Sequence, residues 1–140
     1  MSARSRGVTL IELLVGMAIV ALLAAIGYPG YVKFTERGNR TDATRNMMQT
    51  AQALERCYTQ SYTYIGCAAA PAGTANTPQG YYQITIATPS ASQYTLTAVP
   101  NGVPQSDDAP CQTFTLSSAG IQNALDGGGA DNTIKCWGSN

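Results

Sequence analysis

Residues 7–32 read Gly7-Val8-Thr9-Leu10-Ile11-Glu12-Leu13-Leu14-Val15-Gly16-Met17-Ala18-Ile19-Val20-Ala21-Leu22-Leu23-Ala24-Ala25-Ile26-Gly27-Tyr28-Pro29-Gly30-Tyr31-Val32, and Glu12 is the one charge between Val8 and Val32. A helix from Leu13 to Val32 covers about 30 Å at 1.5 Å per residue, the thickness of a bilayer's hydrocarbon core. The segment is therefore expected to anchor the chain in a membrane. Arg4 and Arg6 precede it, the charge bias of a segment whose N-terminus stays in the cytoplasm, so the residues beyond Val32 are expected to be exported. Gly16, Gly27, Pro29 and Gly30 weaken helix, and a kink or melted turn is expected near residues 25–30. Glu12 needs an explanation, because a charge inside a spanning helix costs roughly 2.5–3.5 kcal/mol at its centre and less toward an end.

Two fates are open to the segment. A secretory signal would be cut after its apolar region, around Ala24 and Ala25, and lost. Against that, the small residue Gly7 stands before the apolar region, and Gly7 followed by Val8-Thr9-Leu10-Ile11-Glu12-Leu13 resembles the type IV pilin family, in which Gly is followed by Phe-Thr-Leu-Ile-Glu-Leu and an apolar helix ending in a Tyr-rich, Pro-containing stretch, here Tyr28-Pro29-Gly30-Tyr31. The resemblance covers about the first thirty residues. It implies cleavage between Gly7 and Val8 by a prepilin peptidase, N-methylation of Val8, and retention of the helix. Val8 departs from the usual Phe. Ala21 stands where a Gly often interrupts the helix, which makes that turn harder to unwind. The resemblance also implies an assembly role for Glu12: in a filament core its carboxylate meets the Val8 amine of a neighbouring subunit, neutralising two charges and fixing the axial stagger. The alternative is a Glu12 solvated at headgroup depth.

Beyond Lys33 the helical signal continues, with Ala43, Met47, Ala51, Leu54 and Tyr58 on one face. Arg37, Arg40, Arg45, Gln49, Gln52 and Arg56 lie on the other. The helix is expected to end between Tyr58 and Ser61. Residues 68–80, rich in Ala, Pro and Gly, read as a loop. The period then changes to two at Tyr82, Ile84 and Ile86, at Tyr94, Leu96 and Ala98, and at Phe114 and Leu116, which implies three strands bounded by Pro89, Pro100 and Gly120. The expected fold is α+β, the type IV pilin fold: a long N-terminal helix whose apolar half protrudes and whose second half packs on a small antiparallel sheet of three or more strands. Three segments follow: residues 1–7, a cleaved basic leader; residues 8–32, membrane anchor and filament core; residues 33–140, one exported head domain.

Cys57, Cys67, Cys111 and Cys136 all lie outside the anchor, and an even count in an exported chain reads as disulfides. With no His and no C-x-x-C pair, zinc is not favoured, and no metal or cofactor is expected. Three pairings are possible. The favoured one joins Cys57 to Cys67, stapling the helix end to the loop start, and Cys111 to Cys136, closing the C-terminal region. The second closure has a parallel in the many pilins that pin a C-terminal loop, and the Cys136-Trp137 ending resembles PilE-like minor pilins. Asp126-Gly127-Gly128-Gly129-Ala130-Asp131-Asn132 offers a weak calcium signal and reads better as a surface loop.

The absence of His, of a P-loop, of G-x-S-x-G and of a dinucleotide fingerprint argues against an enzyme. Asp107-Asp108 reads as a solvated turn. The leading function is a structural subunit of a type IV pilus, minor rather than major, whose partners are other pilin subunits, the prepilin peptidase, the pilus assembly machinery and, before assembly, the inner membrane. The alternatives are a type II secretion pseudopilin and a membrane-tethered exported binding module. DNA binding is not favoured: Lys33, Arg37, Arg40, Arg45 and Arg56 form a basic cluster, but Glu36, Asp42 and Glu55 dilute it. Adhesion, motility and DNA uptake are not distinguished by the residues.

Overall fold

In the computed structural model, residues 8–67 and 74–138 are described. One helix, α1 (Leu10–Ser61), is followed by strands β1 (Thr74–Asn76), β2 (Tyr82–Ser90), β3 (Gln93–Pro100), β4 (Thr113–Ser117) and β5 (Gln122–Leu125), and by a short helix α2 (Thr133–Trp137). A single 3-10 turn, Gln105–Asp107, lies between β3 and β4. The chain divides into two compact units, one ending at Phe34 and the other beginning at Thr35, and α1 contributes residues to both.

In the first unit α1 is exposed on every side from Leu10 to Tyr31. Its most apolar 18-residue window is long enough to cross a membrane and is 0% buried within the chain. The melted turn suggested by Gly27, Pro29 and Gly30 is absent, and α1 runs unbroken through all three. Proline removes one backbone donor, but its fixed φ is compatible with helix. The good helix formers Leu22, Leu23, Ala24 and Ala25 lie immediately upstream.

In the second unit the stripe expected from the sequence faces the sheet. Ala43, Met47 and Leu54 are fully buried, with Ala51 and Tyr58 packed at the margin. Opposite them stand the inward residues of the strands: Tyr82 and Ile84 of β2, Tyr94, Leu96 and Ala98 of β3, Phe114 and Leu116 of β4, and Ala124 of β5. The Tyr82 and Phe114 rings meet edge to face at 5.6 Å. The sheet is an antiparallel meander in the order β1-β2-β3-β4-β5. Each strand satisfies the backbone of the next while its alternate side chains cover the helix.

Three local features differ from the sequence reading. Pro89 does not end β2; the strand continues to Ser90 through a register shift between Ala87 and Ser90, the irregularity at which a strand tolerates proline. Of the stretch read as loop, residues 68–73 lie outside the described residues, and Thr74–Asn76 form β1, pairing with Gln83, Ile84 and Thr85. β5 forms after a turn at Gly120, whose φ of 76° suits glycine. The end of α1 at Ser61 agrees with the sequence reading and is made without a glycine: Tyr62 takes the left-handed conformation at φ 55°, and its N–H reaches Tyr58 O at 2.8 Å. The Tyr58 and Tyr64 rings stack at 4.5 Å across this reversal.

Candidate functional site

At the start of α1, Gly7 lies outside the described residues, and Val8 is exposed. The Thr9 carbonyl accepts the Leu13 N–H at 3.2 Å, and the Thr9 hydroxyl accepts the Glu12 N–H at 3.3 Å. Thr9 therefore caps the helix, and Thr9-x-x-Glu12 has the spacing of a capping box. The sequence reading overlooked this motif, although its residues were in plain view. Glu12 also places negative charge at the positive end of the helix dipole. Part of the reason for a carboxylate here is thus local, and any assembly role is additional.

The cysteines are brought together in two pairs. Cys57 bonds Cys67 with Cα atoms 5.9 Å apart, and Cys111 bonds Cys136 at 5.7 Å. On the chain-entropy treatment, loops of these lengths stabilise by about 3 kcal/mol each. The second bond anchors α2 beside β5. Trp137 Nε1 donates to Asn123 O at 3.0 Å, and its ring meets Phe114 edge-on.

Not every charge lies where the sequence reading put it. Arg40, assigned to the outer face, is buried, and so is Asp108, assigned to a solvated turn; only Asp107 of that acidic pair is exposed. Arg40 Nε and Nη2 donate to the two Asp108 oxygens at 2.7 Å each, a bidentate pair, and Nη1 reaches Lys135 O at 3.4 Å. The hydrogen bond to Asp108 holds the guanidinium pKa above its usual value against the opposing effect of burial. Gln105 sits beside the pair, donating to Tyr82 Oη at 2.7 Å and accepting from Asn39 at 3.1 Å. Burial pushes the Tyr82 phenol up to about 12. A helical period cannot reveal such a bond, because Asp108 is far away in sequence and the arginine lies at the edge of the apolar stripe.

Two of the acids expected to dilute the basic cluster are buried as well. Asp42 accepts the Thr77 hydroxyl and Asn46 Nδ2, and Glu36 is more than nine-tenths covered. Glu55 is exposed but takes the Tyr64 hydroxyl at 3.0 Å and the Tyr94 hydroxyl at 3.2 Å. Arg37, Arg45 and Arg56 remain on the exposed face. A groove of about 410 Å³ lies between α1 and α2, lined by Arg37, Thr41, Thr44, Lys135 and Trp137. In the loop after β5, Asp126 Oδ1 accepts the Gly128 and Ala130 N–H groups at 2.9 Å. Asp131 is held below the usual carboxylate range by its bonds from the Thr133 hydroxyl and N–H.

Comparison with known proteins agrees with this geometry. Residues 29–115 match the family described as type IV minor pilin ComP, DNA uptake sequence receptor, and residues 2–28 match the prokaryotic N-terminal methylation motif. The chain is 36% identical over 61 residues to the type IV major pilin protein PilA of Myxococcus xanthus, covering 44% of this chain and 28% of that one. It is 39% identical over 54 residues to the prepilin peptidase-dependent protein D of Escherichia coli, covering 39% and 37%. It therefore spans well under half the length of those two relatives. With the type IV narrow pilus major component PilA5 of Thermus thermophilus the match runs almost end to end, 31% identical over 124 residues, 87% of this chain and 95% of that one. An apolar helix that continues into the core of an α+β head, a methylation motif at its start and a pilin match across the head together place this chain in the type IV pilin family.

Proposed function

We propose that the chain is a minor structural subunit of a type IV pilus, held in the bacterial inner membrane by the apolar half of α1 and then carried into a filament on the cell surface. The observation that bears most weight is the continuity of α1, since the segment that would anchor the subunit and the segment that packs on the sheet are one helix. Signal-peptide cleavage near Ala24 would cut that helix. On this reading the prepilin peptidase cuts between Gly7 and Val8 and methylates Val8, and Glu12 pairs with the Val8 amine of a neighbour during assembly. The minor rather than major assignment follows the family matched over residues 29–115, although two of the three relatives are described as major subunits. Intact-mass analysis is expected to find a chain starting at N-methylated Val8, and quantification in sheared filaments to find it well below the most abundant pilin. A start at residues 25–28 would remove the pilin reading, and equal abundance would remove the minor assignment.

A second reading, a role in DNA uptake, is favoured by the description of the matched family and by the exposed charges. With Glu36 and Asp42 buried, the exposed face of α1 beyond Thr35 sets Arg37, Arg45 and Arg56 against Glu55. Arg37 and Lys135 flank a groove beside Trp137, two cations placed to contact a phosphate backbone. The α2 wall lies beyond the matched residues 29–115, so this part of the reading rests on chemistry alone. For the detergent-solubilised chain and a fluorescent duplex, Arg37→Ala and Lys135→Ala are each expected to weaken binding and to lower the salt slope by about 1. Unchanged affinity and slope in both variants would exclude the groove as the contact.

A further inference from the structure

From Val8 to Gly27 the chain has no aromatic residue; Tyr28, Tyr31 and Phe34 then follow within two helical turns, with the basic residue Lys33 among them. All three rings are exposed on α1, at 70%, 67% and 75% of their surface. The chain itself covers about a third or less of each of the three residues. On a helix, residues three apart share a side, and the three rings span about 9 Å of its axis. The polar layer on each side of a bilayer is about 5–8 Å thick, half the difference between a hydrocarbon core of about 30 Å and a total of about 40–45 Å. Tyrosine concentrates there because its ring is apolar and its hydroxyl is wet. The rise from Glu12 to Tyr31 is about 28 Å at 1.5 Å per residue, so seating Tyr31 at one boundary brings Glu12 to the other.

We infer that Tyr28, Tyr31 and Phe34 form an interfacial girdle that seats in the outer headgroup layer of the inner membrane and sets the depth of the unassembled subunit. At that depth the Glu12 carboxylate stays in the opposite headgroup layer, and the subunit waits for assembly without a charge in hydrocarbon. The inference rests on the membrane-anchor reading given above and adds to it which residues determine depth. The occupant is the lipid headgroup layer; the competing occupant is a neighbouring subunit in the filament.

The test uses the full chain reconstituted in phosphatidylethanolamine and phosphatidylglycerol vesicles. Trp137 is the sole tryptophan, so Trp137→Phe gives a silent background into which Tyr31→Trp or Leu22→Trp is introduced as a depth probe. Nitroxides on the headgroup are expected to quench Tyr31→Trp several-fold more than nitroxides deep in the acyl chain, with the order reversed for Leu22→Trp. In Tyr28→Ala/Tyr31→Ala/Phe34→Ala, Leu22→Trp is expected to shift its ratio of headgroup to deep quenching several-fold. Deep quenching of Tyr31→Trp overturns the proposal. So does an unchanged Leu22→Trp ratio in the triple variant, and if that variant also loses filament incorporation the rings belong to a subunit contact. Failure of the parent chain to float with the vesicles overturns the membrane anchor, and the girdle with it.

Discussion

Arg40→Ala is expected to lower the unfolding free energy of the head by about 3–5 kcal/mol, because it leaves the Asp108 carboxylate buried without its partner. Domains of this size have about 5–15 kcal/mol in total, so the variant should be near its limit at physiological temperature. Asp108→Ala is expected to act similarly from the other side. The pair ties α1 to the loop before β4, and Arg40 also reaches Lys135 O, so α2 is expected to loosen as well. Replacing both members with apolar residues of similar volume, Arg40→Met with Asp108→Leu, should recover most of the loss, since a buried pair can often be exchanged for packing at little cost. Urea unfolding of the full chain in detergent, followed by circular dichroism, measures all three. If Arg40→Ala stays within about 1 kcal/mol of the parent, water screens the pair as it does a surface bridge.

The second large effect is on assembly. Glu12→Gln is expected to leave cleavage after Gly7 and folding of the head intact while incorporation into sheared filaments falls sharply. The helix start makes this substitution unusually clean. A capping box accepts Gln as readily as Glu at its fourth position, so the start of α1 defined by Thr9 should survive and only the charge is removed. Glu12→Ala would confound the two. Glu12→Asp keeps the charge with a side chain shorter by about 1.5 Å, one carbon–carbon bond, and should be intermediate. Wild-type levels of the Gln variant in filaments would leave Glu12 with only its local role at the helix start.

Periodicity made much of the head legible. Spacings of three and four placed Ala43, Met47 and Leu54 on the buried face, and alternation marked the inward residues of β2, β3 and β4. β1 and β5 carry no such signal: Thr-Ala-Asn and Gln-Asn-Ala-Leu are too short and too polar, and they become strands only because β2 and β4 offer them backbone partners. Arg40, Asp42 and Asp108 were misjudged for a related reason. Charge is a good sign of exposure until a distant segment supplies a partner, an opposite charge for Arg40 and Asp108 or the Thr77 hydroxyl for Asp42, and no local rule shows that partner. The junction at Gly7 was readable as a motif, whereas the cap at Thr9 was hidden within the same residues by the larger question of the charge.

The strand order has a further consequence. Every strand of the sheet lies beside the one made just before it, so each pairing closes a short loop and the topology is of low contact order within the sheet. A chain tethered at its N-terminal end and exported in the direction of synthesis can therefore add strands in the order in which they emerge, without leaving an early strand edge waiting for a late partner. Cys57 and Cys67 emerge before any strand, whereas Cys136 follows them all, so the bond from Cys111 to Cys136 is the last that the head can close. If the head is exported as proposed, that bond can form only once the whole sheet has been delivered, and it marks a finished head chemically.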